Sequence, residues 1–206
     1  MNFLKRIPEF QLDVLKEVGN IGAGNAATAL SILLDKTVDM RVPKVNLLPI
    51  EAIPDYLGSS EQVVVAIYMR VNGDAPGNMF FILNLDSAKK ILRQLAGFPV
   101  SSDGEFTEME LSALNEIGNI LAGSYLSSLA DFTRLKLHPD VPALAMDMIG
   151  SILSFGLIQF GQMGDYALFI DTVFREGKDQ VEGHFFFIPD PDSFKTIFSA
   201  LGVPLE

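Results

Sequence analysis

From Phe10 to Leu34 the small or apolar residues Leu15, Val18, Gly22, Ala26, Ala29 and Leu33 recur at steps of three and four. That spacing lines one face of an α-helix. A second such stretch opens with Thr107-Glu108-Met109-Glu110, a capping-box pattern, and places Leu114, Ile117, Leu121, Tyr125 and Phe132 on its inner stripe. Four other segments are rich in β-branched and aromatic residues and predict strands: Val63–Met69, Asn78–Leu85, Tyr166–Phe174 and Gly183–Ile188. Between the first two, Asn72-Gly73 predicts a tight hairpin, because both residues tolerate positive φ. Shorter helices are predicted over Ser87–Leu95 and Ser193–Leu201.

The order of these elements repeats. Phe10–Val45 laid on Met109–Leu144, at an offset of 99, matches at 11 of 36 positions, most densely in Glu17-Val18-Gly19-Asn20-Ile21 against Glu116-Ile117-Gly118-Asn119-Ile120. Asp86-Ser87-Ala88-Lys89-Lys90-Ile91 likewise resembles Asp192-Ser193-Phe194-Lys195-Thr196-Ile197, and each half closes with Gly-x-Pro (Gly97-Phe98-Pro99, Gly202-Val203-Pro204). The join is the polar run Ser101-Ser102-Asp103-Gly104-Glu105. The predicted architecture is α+β: one domain over residues 1–206 built from two repeats, about 10–99 and 107–204. Long helices pack on a largely antiparallel sheet about a pseudo-two-fold axis. An internal two-fold relation points to a monomer.

Composition narrows the chemistry. The 206 residues include 15 Lys+Arg against 26 Asp+Glu, a formal net charge of -11, which argues against a nucleic-acid partner. With no Cys there is neither a disulfide framework nor a thiolate nucleophile, and two histidines, His138 and His184, are too few for a multi-histidine metal site. His138 reads as a turn residue and His184 as an isolated strand residue. Phe185-Phe186-Phe187 reads as core strand. Val141–Gly164 carries a single charge, Asp147, but its Gln and Gly residues fit a buried core segment better than a membrane span. No signal-peptide pattern follows the first residues, so the chain is expected to be cytoplasmic. Gly19-Asn20-Ile21-Gly22-Ala23-Gly24 is not a nucleotide loop, because the helical pattern runs straight through it and no Walker lysine follows.

The outward faces of the long helices carry the candidate chemistry. Asp13, Glu17 and Asn20 lie at i, i+4 and i+7, within about 60° of one another and away from the apolar stripe; Ser112, Glu116 and Asn119 repeat the arrangement. A carboxylate can pair with a partner's cation, and a neutral amide one turn on can hold a water for attack without titrating. By itself a Glu-x-x-Asn is ordinary helix surface. Duplication alone does not explain why buried positions diverged (Gly22 against Leu121, Ala26 against Tyr125) while the exposed Glu and Asn did not.

Asp13-x3-Glu17-x2-Asn20-x22-Pro43 and Ser112-x3-Glu116-x2-Asn119-x22-Pro142 resemble the Asp/Ser-x3-Glu-x2-Asn-x22-Pro signature of the CheC/CheX/FliY family of chemotaxis phosphatases. The likeness extends over nearly the whole chain, and two intact copies fit the two-motif type within the family. The resemblance implies hydrolysis of the aspartyl phosphate on the response regulator CheY. Glu17 and Glu116 would pair with the regulator's lysine, and Asn20 and Asn119 would orient the attacking water. Asp13, Ser112, Pro43 and Pro142 would be supporting positions, the prolines by fixing the entry to a strand. No cofactor of its own is implied, since Mg²⁺ belongs to the regulator. It further implies binding of the receptor deamidase CheD, with Asp147 in Met146-Asp147-Met148-Ile149-Gly150 a candidate contact. The alternative is a non-catalytic interaction module that binds CheY or CheD.

Overall fold

In the computed structural model, residues 9–94, 97, 105–160, 165–176 and 179–202 are described. The central residues of the predicted join and both Gly-x-Pro prolines fall outside that set. Two 26-residue helices dominate, α1 (Glu9–Leu34) and α4 (Glu108–Thr133). The capping box opens α4: Glu110 N–H donates to Thr107 Oγ1 at 3.3 Å, and Thr107 N–H donates to Glu110 Oε2 at 2.7 Å. Both helices stop at a left-handed residue, Asp35 (φ 50°) and Arg134 (φ 60°), 99 positions apart. Burial follows the predicted stripes except at their ends. Leu33 and Phe132, also equivalent, are 53% and 49% exposed, and the residues that follow them, Leu34 and Thr133, turn inward instead.

Around these helices the chain runs β1 (Asp39–Arg41), β2 (Val45–Pro49), a 3-10 turn at Ile50–Ala52, α2 (Ile53–Leu57), β3 (Val63–Gly73), β4 (Gly77–Asn84) and α3 (Leu85–Gln94). After α4 come β5 (Leu137–Pro139), β6 (Ala143–Met148), α5 (Ile149–Phe160), β7 (Tyr166–Glu176), β8 (Asp179–Pro189) and α6 (Pro191–Ala200). The expected hairpin is present with a different turn. Pairing closes at Val71↔Gly77, and Asn72 and Gly73 continue β3 to pair with His138 and Leu137 of β5. Only Gly73 takes positive φ (113°), where a Cβ would strike the Lys136 carbonyl. His138 is therefore an exposed strand residue, not a turn residue.

The strands form one eight-stranded antiparallel sheet ordered β1-β7-β8-β4-β3-β5, with β2 also on β7 and β6 also on β3. Each repeat thus lends its short strands to the other's long hairpin. Exchanging β1–β4 with β5–β8 returns the same order, the connectivity that a two-fold relation requires. Alternation along the strands splits the core. Val65, Ile67, Met69, Phe81, Ile170, Phe185 and Phe187 face α1, α4, α3 and α6. Val64, Ala66, Phe80, Phe169 and Phe186 face Ile53 of α2 and Ile149, Ile152 and Leu153 of α5. At the β4–β8 seam the repeats interlock. A Cβ on Gly77 would lie 2.5 Å from the Phe187 ring, and one on Gly183 would lie 2.7 Å from the Phe81 ring. Each glycine leaves room for the other repeat's phenylalanine.

The stretch Val141–Gly164 departs from the expected core segment in its first third, and its residues 161–164 lie outside the described residues. Val141 is 88% exposed, β6 is exposed along most of its length, and burial resumes at Ile149. A segment pairing at the sheet margin with β3 needs apolar residues only where it turns inward. Among the described residues no helix is long and apolar enough to cross a membrane.

Candidate functional site

The long helices lie side by side against the sheet, and their apposition explains the buried divergence. At Gly22 a Cβ would come within 2.7 Å of Tyr125 Cδ1 and 3.0 Å of Tyr125 Cα. The missing side chain in one copy accommodates the large one in the other. Tyr125 is itself fixed, with its hydroxyl 2.9 Å from Thr172 Oγ1 and its ring tilted against Phe185. Burial pushes its pKa up to about 12, the hydrogen bond to Thr172 opposing the rise.

With the inner stripe set, the motif residues point outward. Asp13 and Glu17 on α1 are exposed, and Asn20 is half-buried. Asn20 Oδ1 accepts the Val42 N–H at 3.1 Å. This bond gives the 22-residue spacing a physical meaning: the chain leaves α1, runs through β1 and returns beside Asn20 at Val42. Pro43 follows Val42, and the residue before a proline is restricted to extended backbone, which fixes the direction of the Val42 N–H. Pro43 sits in the three-residue link between β1 and β2, so the proline acts on the link ahead of the strand. With one lone pair occupied, Asn20 keeps its second Oδ1 lone pair and both Nδ2 hydrogens for a ligand.

The second copy has the same placement with a looser frame. Ser112 and Glu116 are exposed, Asn119 is half-buried, and Pro142 is half-buried immediately before β6. Val141, the counterpart of Val42, is 88% exposed where Val42 is 2% exposed. Among the described residues the Asn20–Val42 bond has no counterpart at Asn119. The motif residues of each copy thus share one helix surface, and the two copies stand on separate helices. Asp147 lies on the exposed β6 opposite Val64, its Oδ1 accepting the Met148 N–H at 2.7 Å. Among the described residues no three His, Cys, Asp or Glu side chains converge as metal ligands would.

One polar cluster escapes a linear inspection of the sequence. His184 is not isolated: its Nδ1 lies 2.9 Å from Asp171 Oδ1, and Tyr56 donates to Asp171 Oδ2 at 2.8 Å. Burial alone would raise the Asp171 pKa. The hydrogen bonds from His184 and Tyr56, with the charges of His184 and Lys44, outweigh it and hold the carboxyl below its ordinary value. Burial, and then the Asp171 contact, push the Tyr56 hydroxyl up to about 12. The cluster borders an open cleft of about 340 Å³ that Pro43 also lines. Asp171 and His184 are cross-strand partners. Recognition of the β7–β8 hairpin and its register was the signal needed to find them.

A family model described as CheC-like matches residues 10–47 and 109–146, two segments that between them hold both Glu/Asn pairs and both prolines. The chain is 43% identical over 210 aligned residues, 100% of each chain, to the CheY-P phosphatase CheC of Bacillus subtilis (strain 168). It is 28% identical over 140 residues to the flagellar motor switch phosphatase FliY of the same organism, covering 68% of this chain and 36% of that one. In fold, the crystal structure of Thermotoga maritima FliY matches with a TM-score of 0.74 over 96% of this chain and 98% of that chain, at 19% identity. The full-length relative at 43% identity and the corresponding segments matched in both repeats place the chain in the CheC-like family.

Proposed function

We propose that this protein hydrolyses the aspartyl phosphate of the response regulator CheY, with a Glu/Asn pair on each long helix completing a reaction centre supplied by the regulator. The observation that carries this is the pair itself: an exposed Glu17 or Glu116, with a half-buried Asn20 or Asn119 one turn on, in both repeats of a chain 43% identical to a CheY-P phosphatase. In the reaction a water oxygen bonds to phosphorus, the bond from phosphorus to the aspartyl oxygen breaks, and the carboxylate and inorganic phosphate leave. Each Glu pairs with a cation beside the acyl phosphate and fixes the docking. Each Asn holds the water in line. Its amide is neutral, so it brings no charge to repel the phosphoryl oxygens. At Asn20 the Val42 N–H prevents the amide from turning away. Mg²⁺, where it is needed, comes with the regulator.

The test is decay of the acyl phosphate on autophosphorylated regulator. The parent should accelerate it. Asn20→Ala with Asn119→Ala should abolish the acceleration and leave the circular-dichroism spectrum folded. Either single variant should retain part of the activity. Decay unchanged by the parent would favour a non-catalytic module.

Binding of CheD belongs to the same proposal. It is supported by the exposed β6, where Met146 (48% exposed) and Met148 (44%), with Val63 (41%) opposite Met148 on β3, share one face of the strand and Asp147 lies on the other. Exposed apolar side chains at a sheet margin, with a carboxylate on the same strand, suit a protein partner.

A further inference from the structure

Several helical glycines have an internal reason to be there. Gly22 accommodates Tyr125, and a Cβ on Gly118 would lie 2.8 Å from the Ile67 side chain. Gly24 and Gly123 have none, since a Cβ on either would meet nothing within 4 Å. Both sit in the interior of a 26-residue helix, where glycine is the least favourable residue apart from proline. They occupy the same position in each repeat, four residues after Asn20 and Asn119. At about 100° and 1.5 Å per residue, Gly24 falls about 40° round the helix and about 6 Å along it from Asn20. It thus lies in the angular sector between Asn20 and Glu17, on the motif face. Beside it Ile21 is an apolar side chain 49% exposed. Two helices that each give up propensity at the same place, beside the amide, are keeping that face low for something that is not part of this chain.

We propose that Gly24 and Gly123 are clearance positions for the phosphorylated regulator, an assignment that rests on the function proposed above. The regulator's backbone beside its phosphoaspartate closes onto the bare turn, which lets the amide one turn earlier reach the recessed acyl phosphate. A side chain at either glycine holds that amide back. These are positioning residues and take no part in the chemistry.

The experiment uses the full chain with Gly24→Gln, Gly123→Gln and both together, glutamine being uncharged and a good helix former. Three quantities are measured: the melting temperature, acyl-phosphate decay as a function of regulator concentration, and affinity for regulator carrying beryllofluoride as a phosphoryl mimic. The double variant is expected to melt no lower than the parent, to bind the mimic at least tenfold more weakly, and to lose rate mainly through a raised KM. Each single variant should keep part of the activity. Equal affinity and activity in parent and double variant would overturn the assignment. So would a lowered melting temperature, which would show that the glycines serve internal packing. If the parent itself fails to hasten decay, the phosphatase proposal falls, and the binding measurement still decides whether these turns are docking surface.

Discussion

Replacing Gly22 by alanine adds one carbon at the crossing of the two long helices. In an open helix interior that exchange gains about 0.8–1.0 kcal/mol. Here the new Cβ would stand 2.7 Å from Tyr125 Cδ1, 3.0 Å from Tyr125 Cα and 3.4 Å from the Ser124 carbonyl oxygen. The ring cannot swing aside, being 4% exposed, held by Thr172 and packed on Phe185, and the Cα is backbone. Overpacking by a methyl group costs about 1–3 kcal/mol, and contact with backbone puts this case in the upper part of that range. The expected net effect is a loss of about 1–2 kcal/mol, or about 2–8 °C in melting temperature at this chain length. The assay is urea denaturation followed by circular dichroism, with Gly24→Ala measured in parallel. That control makes the same chemical change two residues on, into open space, and should gain up to about 1 kcal/mol. Opposite signs for the two variants, at an unchanged m-value, are the prediction. A Gly22→Ala midpoint at or above the parent's would refute the packing argument.

Two further outcomes are expected. Asp171 has a carboxyl pKa held below 3.8 in the folded chain, so its stabilisation is complete above that value and is lost as the pH falls through the lower folded one. Asp171→Asn should therefore cost about 1–2 kcal/mol near neutrality, with the gap to the parent closing below pH 3.8; a constant gap in urea melts across this range would contradict it. Asp147→Arg should abolish capture by immobilised CheD and leave the fold and acyl-phosphate decay unchanged, and retained capture would move the CheD surface away from β6.

The parts of the fold legible in the sequence were those with long periodicity. α1 and α4, the four long strands and the closing helices each carry enough residues for their pattern to stand out, and the offset of 99 pairs even their stop residues. The short strands β1, β2, β5 and β6 were not legible. Three to six residues hold too few repeats of a two-residue alternation, and their pairing is decided by the other repeat's hairpin. Pairing within the β7–β8 hairpin hid the environment of His184, whose partner Asp171 is brought alongside by cross-strand register and whose neighbour Tyr56 sits on the brief helix α2 of the other repeat. At the motif the sequence exposed the residues and their spacing. The cause of that spacing, the Val42 N–H on Asn20, needed the returning chain to be seen. The looser frame around Asn119 was invisible for the same reason.

The seam between β4 and β8 bears on how such a chain changes over generations. Gly77 shapes the space for Phe187, and Gly183 shapes the space for Phe81, so each copy is the mould of the other. An enlargement in one half finds its remedy only across the seam, and the two halves must keep step wherever they meet. On the outer faces there is no such tether: Asp13 stands where the other copy has Ser112, and both are exposed. Doubling the gene would thus have left one jointly inherited interior carrying two surfaces able to specialise apart.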